Sequence, residues 1–256
     1  MLGFFFKIFV ENFLLFFIMP SALYICNGLM KLFKDWNIFE KILLFWSVLV
    51  IIVVGIFFKS DLLTVSCSVM WALTALLIAK GNNLCRLFGI LADTLYSIVS
   101  FNNQFYWEVF VHVIFLVMDI LWVISWIHHK NKETNFVKIN LIKRKEWILA
   151  FVAFFFLFVW IYYLLKFFDT NELVISTVSV VLTLYAMYFL VRRSKYSLVI
   201  YLFCDVTLIL LWWIYVFKGN AGLVPVLINS IILFVNDSYG FYNWRKVEKL
   251  QRVSDN

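Results

Sequence analysis

Long apolar runs dominate this chain. Eight stand out, at roughly 40–58, 62–80, 84–102, 106–127, 147–167, 172–191, 197–217 and 222–244. Each is about 20 residues long, the length of helix that crosses the hydrocarbon of a bilayer. None alternates apolar and polar at every second position, as a strand of an outer-membrane barrel would. Two prolines and eight glycines are also too few for a loop-rich β protein. The pattern predicts an all-α membrane protein with eight transmembrane helices.

Composition sharpens that reading. Hydrophobic residues make up 64 % of the 256 positions and charged residues 14 %, and mean hydropathy is +0.94. Such a chain cannot cover itself with polar groups in water. A soluble enzyme, a disordered protein and a secreted disulfide scaffold are excluded. Cys26, Cys67, Cys85 and Cys204 have no paired or metal-like spacing and read as small apolar fillers.

The net charge of +7 is strongly one-sided. Alternating crossings put the N-terminal segment, the joints near 81–86, 128–146 and 192–196, and the C-terminal tail on one side. That side collects 19 of the 22 Lys and Arg; the other holds Lys59, Lys166 and Lys218. The positive-inside rule then predicts both termini in the cytoplasm. Trp107 at one rim, and Trp126, Trp147 and Trp244 at the other, suggest interfacial aromatic belts. Residues 1–36 differ from the rest. Lys7, Glu11 and Asn12 interrupt a Phe-rich stretch with no basic n-region and no small-residue cleavage site, which predicts a helix lying in the interface rather than a signal peptide. The organisation expected is 1–36 as this interfacial segment, 37–60 as an additional transmembrane helix, 61–129 as a first three-helix unit, 130–170 as a basic loop and connecting helix, 171–246 as a second three-helix unit, and 247–256 as a tail.

The two units resemble each other. Lys80 and Asp93 recur as Arg192 and Asp205, shifted by 112 residues; Asp119 and Trp126 recur as Asp237 and Trp244, shifted by 118. The crossing at 147–167 returns the chain, so both copies run in the same sense. This predicts a 3+1+3 core of parallel repeats, the plan of the SWEET transporters.

Four aspartates lie near the middles of spans, where each ionised group costs about 2.5–3.5 kcal/mol to insert. They are Asp93, Asp119, Asp205 and Asp237. Such residues either line a polar interior or only hold helices together. Helical spacing supplies neighbours for an interior. Asn229, Asn236 and Asn243 recur every seven residues, with Ser230, Tyr239 and Gly240 on or beside that stripe. His112, Asp119 and Trp126 recur likewise; Asp205 and Trp212 are also seven apart, with Trp213 adjacent. The candidate substrate-binding residues are therefore Trp212, Trp213, Asn236, Tyr239, Asn229, Asp119, His112, Asp93, Asp205 and Asp237. Amides and hydroxyls suit a sugar, aromatic faces stack flat rings, and carboxylates favour a cation. No motif of an enzyme or an ATP-binding loop is present. His128 and His129 read as a solvated pair, and no cofactor or metal is expected.

At Asn236-Asp237-Ser238-Tyr239-Gly240-Phe241-Tyr242-Asn243-Trp244, followed by Arg245-Lys246, the chain resembles the PnuC family of bacterial vitamin transporters. The likeness extends over roughly 62–246, through Phe105-Tyr106, Trp126, Leu173–Arg192 and Leu211-Trp212-Trp213. It departs at Leu121-Trp122, where relatives often carry Tyr-Gly, and at His112 and Asp119, where an amide is common. The resemblance implies uptake of nicotinamide riboside across the inner membrane by facilitated diffusion, with a cytosolic kinase trapping the product. Homo-oligomers are compatible with it. Relatives carrying thiamine or riboflavin, and a membrane ligand-binding or sensor module, are the alternatives.

Overall fold

The computed structural model describes residues 36–82, 85–102, 106–129, 137–170, 172–219 and 224–254. The expected interfacial helix at 1–36 lies almost wholly outside them, as do residues 130–136 of the basic loop. Eight helices are described: α1 (Ile38–Phe57), α2 (Leu62–Ala79), α3 (Cys85–Asn102), α4 (Tyr106–His128), α5 (Arg144–Phe167), α6 (Leu173–Val191), α7 (Tyr196–Phe217) and α8 (Val224–Ser254). Seven are long and apolar enough to cross a membrane. The exception is α3, the most polar of the described helices except α8, with Asp93, Thr94 and Ser97 in its middle. Helix α8 outruns its predicted span, continuing as one helix into the basic tail.

The chain divides at Leu43. In the N-terminal unit, Asn37 starts α1 with a reciprocal capping box. The Glu40 N–H donates to Asn37 Oδ1 at 2.8 Å, and the Asn37 N–H donates to Glu40 Oε2 at 2.9 Å.

In the larger unit, six helices form a closed ring: α2 packs on α3, α3 on α4, α4 on α6, α6 on α7, α7 on α8, and α8 back on α2. Helix α5 packs on the outside of α6. Its Phe151, Phe155, Phe156 and Tyr163 are exposed, as a lipid-facing surface requires. A core of Val111 and Phe115 from α4, Ile161 and Leu165 from α5, and Val180, Val181, Leu184 and Met187 from α6 binds this side of the ring. The opposite seam, between α8 and α2, is closer. A Cβ on Gly240 would stand 3.0 Å from Ala79 Cβ and 3.1 Å from its Cα, so only glycine lets the two backbones approach.

The joints after α2 and α6 are the same turn. Gly81 and Arg193 both sit in the left-handed region, at φ 62° and 57°. The Gly81 N–H donates to Ile78 O at 2.8 Å and the Asn82 N–H to Leu77 O at 3.0 Å; Arg193 to Leu190 and Ser194 to Phe189 repeat the pair at 2.9 Å each. This is the Schellman pattern that satisfies carbonyls at a helix end. The second turn is also tied from outside. The Asn140 N–H donates to Arg193 O at 3.0 Å, and the Arg193 guanidinium donates to Lys138 O at 3.3 Å.

Candidate functional site

The four aspartates are buried within the helix bundle. Asp93, Asp119, Asp205 and Asp237 are 1–5 % exposed, so none faces lipid. They fall into two interacting pairs, Asp93 with Asp119 and Asp205 with Asp237. Gly89 on α3 makes room for the first pair, since a Cβ there would lie 3.1 Å from Asp119 Oδ2. His112 on α4 reaches across to α3, its Nδ1 standing 2.8 Å from Asp93 Oδ1. Its ring lies 4.2 Å from that of Tyr96 and 5.1 Å from that of Phe115.

The second pair has different neighbours. The position matching His112 under the 118-residue shift is Ser230, whose hydroxyl donates back to Val226 O at 3.0 Å. The position matching Gly89 under the 112-residue shift is Tyr201. Tyr201 lies within electrostatic reach of Asp119 and Asp237, and also of Asp93 and Cys204. It was absent from the sequence-based candidates. Only aligning the two units position by position singles it out, because it replaces the glycine of the first unit.

The asparagine stripe on α8 splits in function. Asn236 is 1 % exposed, and neither atom of its amide has a partner among the described residues. Asn229 is buried, with Oδ1 equally unpartnered. In a membrane helix these groups need a solute or solvent partner. Asn243 instead donates Nδ2 to Ala79 O at 2.9 Å. Tyr239 is half-buried one turn after Asn236. The Trp122 indole, one turn after Asp119, is buried with its N–H also unpartnered.

Two expectations about tryptophan need correction. Trp213 is 52 % exposed and stacks on Phe217 at 5.0 Å; as the neighbour of Trp212 it points about 100° away around the helix and faces outward. Trp212 is half-buried and pairs with Tyr215 at 5.8 Å. Trp126 and Trp244 form no interfacial belt, because both are fully buried. Trp126 Nε1 donates to Leu190 O at 3.1 Å, and Trp244 Nε1 donates to Ile78 O at 2.9 Å.

Weaker bonds follow the same offsets. Cys67 on α2 donates its thiol to Ala92 O on α3 at 3.6 Å, while Cys204 on α7 donates to Ser179 O on α6 at 3.5 Å. Sulfur thus ties α2 to α3 and α7 to α6 at positions that correspond under the 112-residue shift.

A closed ring of membrane-length helices with carboxyls, amides, an imidazole and indoles turned away from lipid defines a polytopic helical transporter. The chain belongs to the nicotinamide mononucleotide transporter family, whose sequence profile matches residues 61–246. It is 24 % identical over 228 residues to the nicotinamide riboside transporter PnuC of Neisseria mucosa, covering 86 % of this chain and 85 % of that one. Its fold is similar to the crystal structure of the vitamin B3 transporter PnuC, with a TM-score of 0.74 at 22 % identity over 85 % of this chain and 95 % of the other.

Proposed function

We propose that this chain takes up nicotinamide riboside across the bacterial cytoplasmic membrane by facilitated diffusion, and that a cytosolic kinase traps the product by phosphorylation. The observation that carries the solute assignment is the Asn236 amide, buried with both atoms unpartnered, in a chain of this family. A ribosyl pyridinium brings hydroxyls for that amide, a flat ring and a positive charge. In this reading Trp212 stacks on the ring, and Asn236 and Tyr239 hydrogen-bond the solute. Asn229, Asp119 and His112 serve the ribose or the charge. Asp93, Asp205 and Asp237 keep the interior polar and acidic.

The architecture proposed is eight crossings, with α2–α4 and α6–α8 as the parallel repeats of a 3+1+3 core and α5 as the link. The matching joints and the matching thiol bridges support it. The basic end of the ring lies in the cytoplasm by the positive-inside rule, which puts both termini there. The two three-helix units rock against each other about the site.

The test is calorimetry on the purified full chain with nicotinamide riboside, thiamine and riboflavin side by side. Binding of nicotinamide riboside alone is the expected result. Binding of thiamine or riboflavin in its place overturns the solute assignment, and silence from all three favours a sensor of another ligand.

A further inference from the structure

Four hydrogen bonds at the basic end join the two three-helix units, and they form two equivalent sets. From α4, Ser125 Oγ donates to Val191 O at 2.6 Å and Trp126 Nε1 to Leu190 O at 3.1 Å. From α8, Asn243 Nδ2 donates to Ala79 O and Trp244 Nε1 to Ile78 O, both at 2.9 Å. The donors are related by 118 residues and the acceptors by 112. In every case the donor sits on the third helix of one unit and the acceptor ends the first helix of the other. The last carbonyls of a helix lack intrahelical donors; here Ala79 O and Val191 O take theirs from the opposite unit, while Ile78 O and Leu190 O accept a cross-unit indole in addition to the N–H of the turn that follows.

The two indoles also meet each other. The rings of Trp126 and Trp244 lie 5.8 Å apart, and both are wholly buried. They occupy the place where the ends of α2, α4 and α6 converge on α8. Nothing about solute binding requires this arrangement. The bonds cross the boundary along which two units must separate if the ring is to open at this end.

We propose that Trp126 and Trp244 are the gate of the basic end: with Ser125 and Asn243 they bolt it shut, and solute passes there only when these bonds break. The inference rests on the chain being a transporter and is independent of which solute it carries. A static helix cap uses the same bonds but never needs to release them. Tying the ends together separates the two cases.

Cysteine pairs are placed across each latch, Ser125→Cys with Val191→Cys and Asn243→Cys with Ala79→Cys. The full-length protein is reconstituted in liposomes, cross-linked with a short bifunctional thiol reagent, and its cross-linking measured by intact mass. Wild-type protein given the same reagent is the control for the four native thiols, of which Cys67, Cys85 and Cys204 are buried, and Cys26 is replaced by Ser in every variant. Cross-linking is expected to cut nicotinamide riboside flux at least ~10-fold, with recovery when a cleavable reagent is reduced. Full flux through fully cross-linked protein overturns the gate. A second measurement needs no solute. Spin labels at His128→Cys on α4 and Tyr196→Cys on α7 report the width of the basic end in wild type and in the Trp126→Phe/Trp244→Phe variant. A second, longer distance in the variant is expected, because phenylalanine keeps the ring and removes the N–H. An unchanged single distance overturns the proposal. Failure of the solute assignment shows separately, as wild-type protein that carries no nicotinamide riboside before any cross-linking.

Discussion

Asn236→Leu tests whether the interior polar groups serve a ligand or the fold. The side chain is 1 % exposed and its amide nitrogen and oxygen have no partner among the described residues. Leucine has the same branched heavy-atom skeleton, somewhat larger, without polar atoms. Leaving a buried polar group unsatisfied costs about 1–3 kcal/mol. Allowing for partial solvation of two such groups, the substitution should stabilise the empty protein by about 2 kcal/mol. In a chain of this size that corresponds to a rise in Tm of about 4–8 °C. Binding should move the other way. Losing the amide removes hydrogen bonds to the solute and strands the solute's own polar groups, about 2–4 kcal/mol together. That weakens Kd roughly 30- to 700-fold. The assay is thermal unfolding in detergent, with calorimetric titration of nicotinamide riboside on the same preparation. A variant destabilised by 2 kcal/mol or more that still binds normally would refute the reasoning, because Asn236 would then hold the helices together.

Three further outcomes follow from the geometry. Trp212→Ala should weaken binding by at least ~10-fold while Trp213→Ala leaves it within about twofold, since only the first ring turns inward (loss of one stacked ring is worth about 0.5–1.5 kcal/mol beyond burial); equal effects in calorimetry would remove Trp212 from the site. Gly240→Val should destabilise by about 1–3 kcal/mol through overpacking against Ala79, read as a lower Tm, and an unchanged Tm would show that α8 and α2 can separate freely. Asp61 caps α2, accepting from the Thr64 N–H at 2.8 Å and from its hydroxyl at 2.6 Å. Partial burial pushes the Asp61 carboxyl up, but the bonds from Thr64 and the backbone outweigh it and hold the pKa below its ordinary value. Its contribution is therefore present at neutral pH and lost as pH falls through that lowered value. Asp61→Ala should cost about 1 kcal/mol and Asp61→Asn much less, with the wild-type advantage over Ala shrinking in acid; a pH-independent difference would count against an ionised cap.

The apolar runs place the helices well, because length and hydropathy are all a crossing needs. They place α3 less securely, since Asp93, Thr94 and Ser97 pull its composition below that of a membrane helix. The buried aspartates were legible from cost alone: no carboxylate sits at mid-span without shelter. Which aspartate meets which was not, because pairing depends on how α3 lies against α4 and α7 against α8. Trp213 lies apart from Trp212 because adjacent residues point about 100° apart on a helix, so a stripe through Trp212 leaves Trp213 facing outward. Trp126 and Trp244 were misassigned because an indole near a helix end looks the same whether it anchors in the interface or caps a neighbour.

That last ambiguity bears on how the ring can work. Indoles in a belt would tie each helix to the lipid interface and leave the units independent. Indoles bonded across the ring tie each unit to the other. Only two kinds of polar group are then left in the interior: those already satisfied by the protein, such as His112 on Asp93 at 2.8 Å, and those that are not, such as the Asn236 amide. The first kind can hold one conformation. The second gains a partner only when solute or solvent is present. A solute that satisfies Asn236 can therefore change the relative free energies of the open and closed ring only if the amide's surroundings differ between them. Asn236 and Trp244 lie on the same continuous helix, α8, about two turns apart. A displacement of α8 at the amide is thus transmitted along one helix toward the Trp244 bond with Ile78, which gives the proposed site a mechanical route to the basic end.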